Sequence, residues 1–257
     1  MHRSLPFLLF TAVSLSACAS MGTRDALVSD RPDFTEASAL VDPGHVQVEA
    51  GSTRSREGEA RVTAHGEVLM RAGLTSRVEL RLAGNSFVQE RTDLLSQSGA
   101  EDSGLGFKFR LLDGAEGHSW KPALSVIASS TLPTGSRVYR SVRSQPEVKV
   151  ITAWSLTDRV GFSSNVNVAR PYDGVRSFTE YAGSGSLGFA VTDRIGSYVE
   201  AFAFAPQDGS HLVNKYVNGG FTFLFSPDVQ LDVRAGSGPR SASSRDYFAG
   251  VGLVVRR

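Results

Sequence analysis

Leu74-Thr75-Ser76-Arg77-Val78-Glu79-Leu80-Arg81-Leu82 holds a tight turn and the strand that follows it, and its alternation decides the fold. Successive side chains of a strand point to opposite faces. Val78, Leu80 and Leu82 therefore share one face, while Arg77, Glu79 and Arg81 share the other. The turn itself returns along the chain as Leu156-Thr157-Asp158-Arg159-Val160 and Val191-Thr192-Asp193-Arg194-Ile195, and more loosely as Phe225-Ser226-Pro227-Asp228-Val229. Thr, Ser, Asp and Pro between strand-like runs are turn chemistry, because short polar side chains bond the nearby backbone and Pro presets its own φ. Recurrent short turns on one side, with longer polar connections on the other, are the organisation of an outer-membrane β-barrel.

Twelve strands are expected, at about 45–53, 60–73, 77–88, 103–112, 119–131, 144–156, 159–170, 177–191, 194–205, 211–225, 228–237 and 245–256. Most are longer than the 5 or 6 residues usual in soluble sheets and reach the roughly 9–11 needed to cross a membrane at a tilt. An even count puts both ends of the sheet on one side. The fold expected is all-β: a single antiparallel transmembrane β-barrel of about 12 strands over residues 45–257, with short periplasmic turns and longer extracellular loops. The connections Arg54 to Glu59, Gln89 to Asp102, Leu132 to Arg143, Pro171 to Arg176, Pro206 to Ser210 and Gly238 to Ser244 are assigned to the outer side.

The start of the chain reads as an export signal over residues 1–17, with Arg3 in the charged part and Leu5 to Leu15 as the apolar part. That run is shorter than the ~20 residues of a membrane-spanning helix. It closes on Leu15-Ser16-Ala17-Cys18, the pattern read by lipoprotein signal peptidase, which makes Cys18 a lipidation site. Ordinary cleavage around Ala17-Cys18-Ala19 is the competing reading. Residues 18–44 follow as a periplasmic N-terminal segment. Cys18 is the one cysteine of the chain, so no internal disulfide can form. The whole chain carries 27 Lys and Arg against 26 Asp and Glu; without Arg3 the two signs balance, which gives no footprint for nucleic acid.

Alternation continues through the chain. Phe107 and Phe109 oppose Lys108 and Arg110; Val148 and Val150 oppose Glu147 and Lys149; Val62, Ala64, Val68 and Met70 oppose Arg61, Thr63, His65, Glu67 and Arg71. A soluble barrel would turn the apolar face inward. The export signal and the strand lengths favour the membrane version, in which that face meets lipid and the charged face lines a hollow. Glu49, His65, Glu67, Arg71, Arg77, Glu79, Arg81, Lys108, Arg110, Glu147, Lys149, Glu180, Glu200, Asp232 and Arg234 are then inward. A charge facing the bilayer midplane would cost about 2–4 kcal/mol for Arg or Lys, and the apolar faces carry none mid-strand.

Ser29-Asp30-Arg31-Pro32-Asp33-Phe34-Thr35-Glu36 and Pro43-Gly44-His45-Val46-Gln47-Val48-Glu49 resemble the opening of a family of Gram-negative outer-membrane barrels known as meta-pathway phenol-degradation proteins, or simply transporters. Leu105-Gly106-Phe107-Lys108-Phe109-Arg110, Ser130-Thr131-Leu132-Pro133-Thr134-Gly135 and Tyr247-Phe248-Ala249-Gly250-Val251-Gly252-Leu253 extend the resemblance over nearly the whole mature chain. It implies an outer-membrane barrel that moves small molecules, aromatic or hydrophobic ones among them. Two features depart from the pattern: the ending Val254-Val255-Arg256-Arg257 lacks a terminal aromatic residue, and a lipidated Cys18 is not typical of barrels.

No catalytic residues, cofactor or metal site are expected. His45, His65, His118 and His211 lack ligand spacing, no G-x-S-x-G elbow exists, and Gly183-Ser184-Gly185-Ser186-Leu187-Gly188 has neither the Lys nor the helix of a phosphate loop. The segment Asp30 to Glu36 is the functional candidate. It is expected to tuck into the periplasmic mouth, Arg31 pairing with Glu67 or Glu79, and Asp33 or Glu36 with Arg71, Arg77 or Arg81, either as a gate or as a seal. Lys108 and Arg110 complete the lumen set. Arg137, Arg140 and Arg143 would suit lipopolysaccharide phosphates, and outer-membrane lipid is the other expected partner. Two functions stand: a channel or transporter for an unnamed small solute, or a non-conducting structural or interaction lipoprotein. Either would sit in the outer membrane of a Gram-negative cell.

Overall fold

The computed structural model describes residues 25–114, 120–209, 212–239 and 245–257. The strands are β1 (Val46–Glu57), β2 (Ala60–Thr75), β3 (Val78–Arg91), β4 (Ser96–Ala100), β5 (Ser103–Leu112), β6 (Ala123–Leu132), β7 (Pro146–Thr157), β8 (Val160–Ala169), β9 (Glu180–Ala190), β10 (Ile195–Pro206), β11 (Asn214–Ser226), β12 (Val229–Pro239) and β13 (Arg245–Arg256). Each pairs antiparallel with its neighbours, and β1 pairs with β13 to close the sheet on itself. The short β4 and the longer β5 lie end to end along β3, so they make one stave and the barrel has twelve. No helix occurs among the described residues. Export signal, Cys18, His118 and His211 fall outside them.

The short turns gather at one end, at 76–77, 158–159, 191–194 and 227–228. There β1 begins and β13 ends, joined by reciprocal hydrogen bonds between Val46 and Arg257. The opposite end carries the longer connections, with two differences from expectation. Arg54 to Glu59 is not a loop: β1 runs to Glu57 and turns at Gly58-Glu59, where Gly58 takes the left-handed φ of +63°. Gln89 to Asp102 likewise continues β3 and returns as β4. Over β1–β4 the wall therefore continues as strand where loops were expected.

Exposure settles which face is inside. Val150 is 40% exposed and Phe109 37%, whereas Arg71, Lys108, Glu49, Glu79 and Asp232 are all fully buried. That is the inverse of a water-soluble fold, in which Arg, Lys, Glu and Asp almost never bury completely. A band of Val, Leu and Phe wraps the outside, and the hollow holds the charge.

One region breaks the alternation. On β2, Gly66 and Glu67 both take positive φ (+97° and +42°), and on β3 Asn85 does the same (+52°). The β2–β3 register shifts between His65 and Leu69. Such bulges insert a residue and re-aim the side chains beyond them. Below the bulges Arg71 and Glu67 point inward as the pattern predicts. Above them His65 pairs with Ser52 and Phe87, both on the outer face, so Arg61, Thr63 and His65 point outward, and Ala64 and the buried Val88 point in. The inward placement of His65 expected from unbroken alternation is thereby corrected.

Candidate functional site

Residues 25–42 enter the hollow from the short-turn end, climb its wall, reverse around Thr35 and come back down to β1. Leu27 donates its N–H to the Pro227 carbonyl at the foot of β12, and Pro43 bridges to Gly73 at the foot of β2. Between these anchors the segment forms no regular structure, so its backbone groups are satisfied by side chains of the barrel wall, as buried polar groups must be.

Asp30 is the hub. Its carboxylate lies 3.1 Å from the Lys108 ammonium through each oxygen, 3.4 Å from the Arg71 guanidinium, and also accepts a hydrogen bond from Arg81. Burial alone would raise the Asp30 carboxyl, but Arg71, Lys108 and Arg81 together hold it well below the usual carboxylate range. Arg71 bridges Glu49 and Glu79 at 2.9 Å each and donates to the carbonyls of Val28 and Ala39. Glu49 in turn accepts the backbone N–H groups of Asp30 and Arg31. On the returning arm, Glu36 pairs with Arg81 and with Lys149, each at 2.9 Å. Glu79 accepts the Val41 N–H at 2.8 Å.

Arg31 reaches the other side. Its guanidinium donates to Glu67 at 2.9 Å and to Asp232 at 3.3 Å. It lies flat over Gly51 and Gly252, which face each other across β1 and β13; a Cβ on either would collide with the guanidinium. Burial opposes the Arg31 charge, yet Asp232 and Glu67 favour it more, so its affinity for the proton rises further. Arg234 donates to the Pro32 carbonyl at 2.9 Å.

The tip is held by β10. Glu200 accepts the N–H groups of Phe34 and Thr35 and the Thr35 hydroxyl. The Phe34 ring stacks on Phe202 at 4.8 Å and meets Phe204 edge-on at 5.1 Å, while Phe202 stacks on Tyr216. Asp33 is the exception among the acidic residues of the segment. It pairs with no cation of the wall; the Ser186 hydroxyl bonds it, and burial, with Glu200 nearby, raises its carboxyl well above the ordinary value.

Sequence expectation and geometry thus meet in part. Asp30, Arg31, Glu36, Glu67, Arg71, Glu79, Arg81 and Lys108 come together; Arg31 takes Glu67 rather than Glu79, and Glu36 takes Arg81. Arg77 and Arg110 stand apart: Arg77 pairs with Asp113 at 3.3 Å in the exposed rim of the short-turn end, and Arg110 approaches the same carboxylate at 3.8 Å. The reason is position, since both lie a turn below the level that the segment reaches. Glu49, Lys149, Glu200 and Asp232 were placed inward but not joined to the segment. Facing charge of opposite sign was the signal that could have joined them. The aromatic seat of Phe202, Phe204 and Tyr216 was missed, because on β10 aromatic side chains share the inward face with Glu200.

Above the segment a cavity opens toward the loop end. Its floor holds Glu36, Arg81 and Lys149, and its walls include Ser86, Ile127 and Glu147. Asp102 ties the β6–β7 loop across the rim by accepting the N–H groups of Gly135 and Ser141. The arrangement is a charge-lined vestibule closed at its base by a segment of the same chain. No cluster of acidic, His or Cys side chains suited to a metal ion occurs among the described residues.

The sequence profile of the family described as "Putative MetA-pathway of phenol degradation" matches residues 29–256. No curated protein matches the sequence. Among solved structures, the chain is similar to the COG4313 outer membrane channel from Pseudomonas putida F1, with a TM-score of 0.62 at 14% identity over 86% of this chain and 98% of that one. It is also similar to the NanC porin (0.56; 8% identity; 81% and 98% covered) and to the KdgM porin (0.50; 10%; 80% and 98%). At these identities the likeness is one of fold.

Proposed function

The chain belongs to the family described as "Putative MetA-pathway of phenol degradation", and from that premise we propose that it is an outer-membrane channel for small aromatic or hydrophobic solutes, gated by residues 25–42. The short-turn end faces the periplasm and the loop end the exterior. The observation that carries this reading is the way the segment is seated. It is held by ion pairs and hydrogen bonds to opposite walls, with one aromatic side chain, Phe34, resting on Phe202. Polar contacts of this kind are exchanged readily for water, whereas a packed apolar core is not. A solute with an aromatic ring finds Phe202, Phe204 and Tyr216 where Phe34 now lies, and an acidic group on that solute finds Lys149 and Arg81 in place of Glu36. Once Asp30 and Glu36 withdraw, Arg71, Arg81, Lys108 and Lys149 outnumber Glu49, Glu79 and Glu147 beside them, so that side of the open lumen attracts an anionic group, while Glu67 and Asp232 opposite lose Arg31.

Deleting residues 25–40 tests the gate. In planar bilayers the shortened protein shows larger single-channel conductance than the full chain; equal conductance would exclude gating. A second reading, a barrel sealed for structural or interaction purposes, draws support from the burial of Asp30 and the complete enclosure of Arg71 and Lys108. Liposomes that fail to swell with either form of the protein would favour it. Lipidation at Cys18 belongs with both readings and is tested by the mass of the mature amino terminus.

A further inference from the structure

We propose that the outer wall of β1–β3, at its loop end, is a binding site for the phosphate groups of an outer-leaflet glycolipid, that is, lipopolysaccharide. The inference rests on the outer-membrane reading but not on conduction. It begins with the paired bulges. By reversing the alternation at Gly66-Glu67 and at Asn85, they take Arg61, Thr63, Gln89 and Arg91 out of the lumen and set them on the outside. There Arg56 stands directly opposite Arg61, and Arg61 directly opposite Arg91, so three guanidinium groups form one row across three adjacent strands. Arg54 occupies the next row, beside Thr63.

Like charges directly opposite each other on one face of a sheet are destabilising. Among the described residues no carboxylate pairs with the row. Among the described residues none of the four arginines has an ion-pair partner, and Arg56 has only the Gly58 carbonyl, at 3.1 Å. Glu59 and Asp93 border the same groove without pairing to them. In the lumen, by contrast, the neighbouring guanidinium groups of Arg71 and Arg81 are matched by Asp30 and Glu79 at close range. A row of forks not paired to carboxylates is instead the geometry that takes phosphate oxygens two at a time.

Height selects the source of the phosphate. Tilted strands climb about 2.5 Å per residue along the membrane normal, so Arg56 stands about 25 Å above Val46 on the same face of β1, one apolar band higher. Below it on β1 lie Ser52, Ala50, Val48 and Val46; below Arg91 on β3 lie Phe87, Leu82, Leu80 and Val78. Tyr247, 53% exposed and opposite Arg56, marks the aromatic edge of the band. The arginines thus meet the level where acyl chains end and phosphorylated sugar begins. Arg137, Arg140 and Arg143 do not share this wall: they belong to the β6–β7 loop, where Arg143 stacks over Tyr172.

The test uses the full-length protein folded in zwitterionic detergent, with folding scored by heat-modifiable electrophoretic mobility. Immobilised rough lipopolysaccharide captures the wild type, and the triple variant Arg56→Gln/Arg61→Gln/Arg91→Gln binds at least about tenfold more weakly, the factor that a lost charge-assisted hydrogen bond is worth. Arg137→Gln/Arg140→Gln/Arg143→Gln keeps wild-type binding, and enzymatically dephosphorylated lipopolysaccharide is captured poorly by all forms. Equal capture of the triple variant, or of the dephosphorylated glycolipid by the wild type, overturns the proposal. Millimolar inorganic phosphate that abolishes capture overturns the glycolipid assignment in favour of a free anion. Should the triple variant not fold, Arg61→Gln alone, at the centre of the row, gives the same comparison. A barrel that conducts nothing yet shows this pattern keeps the site and loses the channel.

Discussion

Arg31 shows how a single side chain can be both legible and hidden. Its pairing with Glu67 was readable from sequence, because one cation on an otherwise acidic stretch faces an acidic wall position. Its second partner and its seat were not, since the opposed pair Gly51 and Gly252 is created only when β1 meets β13 at closure. Replacing Arg31 by Ala leaves Asp232 buried beside Glu67 without its main cation, a loss of about 3 kcal/mol in seating the segment. The channel should then spend more time open at zero voltage in planar bilayers. Asp33 works in the opposite sense. Its carboxyl is raised in the seated state, so seating weakens as pH climbs from the ordinary carboxylate range through that raised value. Asp30, lowered by its three cations, contributes at neutral pH, and its contribution is lost only as pH falls below the ordinary range. On the gating proposal, open probability of the wild type should therefore rise as pH climbs above the ordinary carboxylate range. Asp33→Asn should flatten that rise; a variant with an unchanged pH profile would exclude Asp33 as its source.

Among elements, the turns were the most legible part of the chain. Thr75-Ser76, Thr157-Asp158, Thr192-Asp193 and Ser226-Pro227-Asp228 close hairpins because a hydroxyl bonds the backbone two residues on: Thr75, Thr157 and Thr192 accept the N–H of Arg77, Arg159 and Arg194, and Ser226 accepts that of Asp228. The bulges were not legible. Gly66 and Asn85 are residue types that tolerate a left-handed backbone, but neither requires it, Glu67 gives no local signal for it, and the alternation of β2 reads unbroken in the sequence. Their conformation is imposed by the neighbouring strands. Asn tolerates positive φ whereas β-branched residues do not. Asn85→Val should destabilise the folded barrel by about 1–2 kcal/mol, seen as a lower temperature for loss of the heat-modifiable form, while Asn85→Gly should hold wild-type stability. Equal behaviour of the two would show that the bulge carries no strain.

At the scale of the molecule, the inside-out distribution was recovered because period-two alternation survives in most staves, and because length and export signal chose the lipid side. What alternation could not supply was the filling of the hollow, which depends on a segment that has no periodicity of its own. The lipid-facing assignment makes a quantitative demand. Leu80→Arg, on the apolar face of β3, should cost about 2–4 kcal/mol in urea unfolding from lipid vesicles, and Leu82→Ala far less; a neutral Leu80→Arg would mean that this face never meets acyl chains. Finally, the segment that fills the lumen runs into β1 through only Pro43-Gly44-His45, with Pro43 bridged to Gly73. Were it released, as the gating proposal requires, so brief a leash would hold it at millimolar or higher local concentration beside its own seat. Recapture would then be a first-order event, indifferent to how many copies the cell makes, and each passage of cargo would be followed by re-closure.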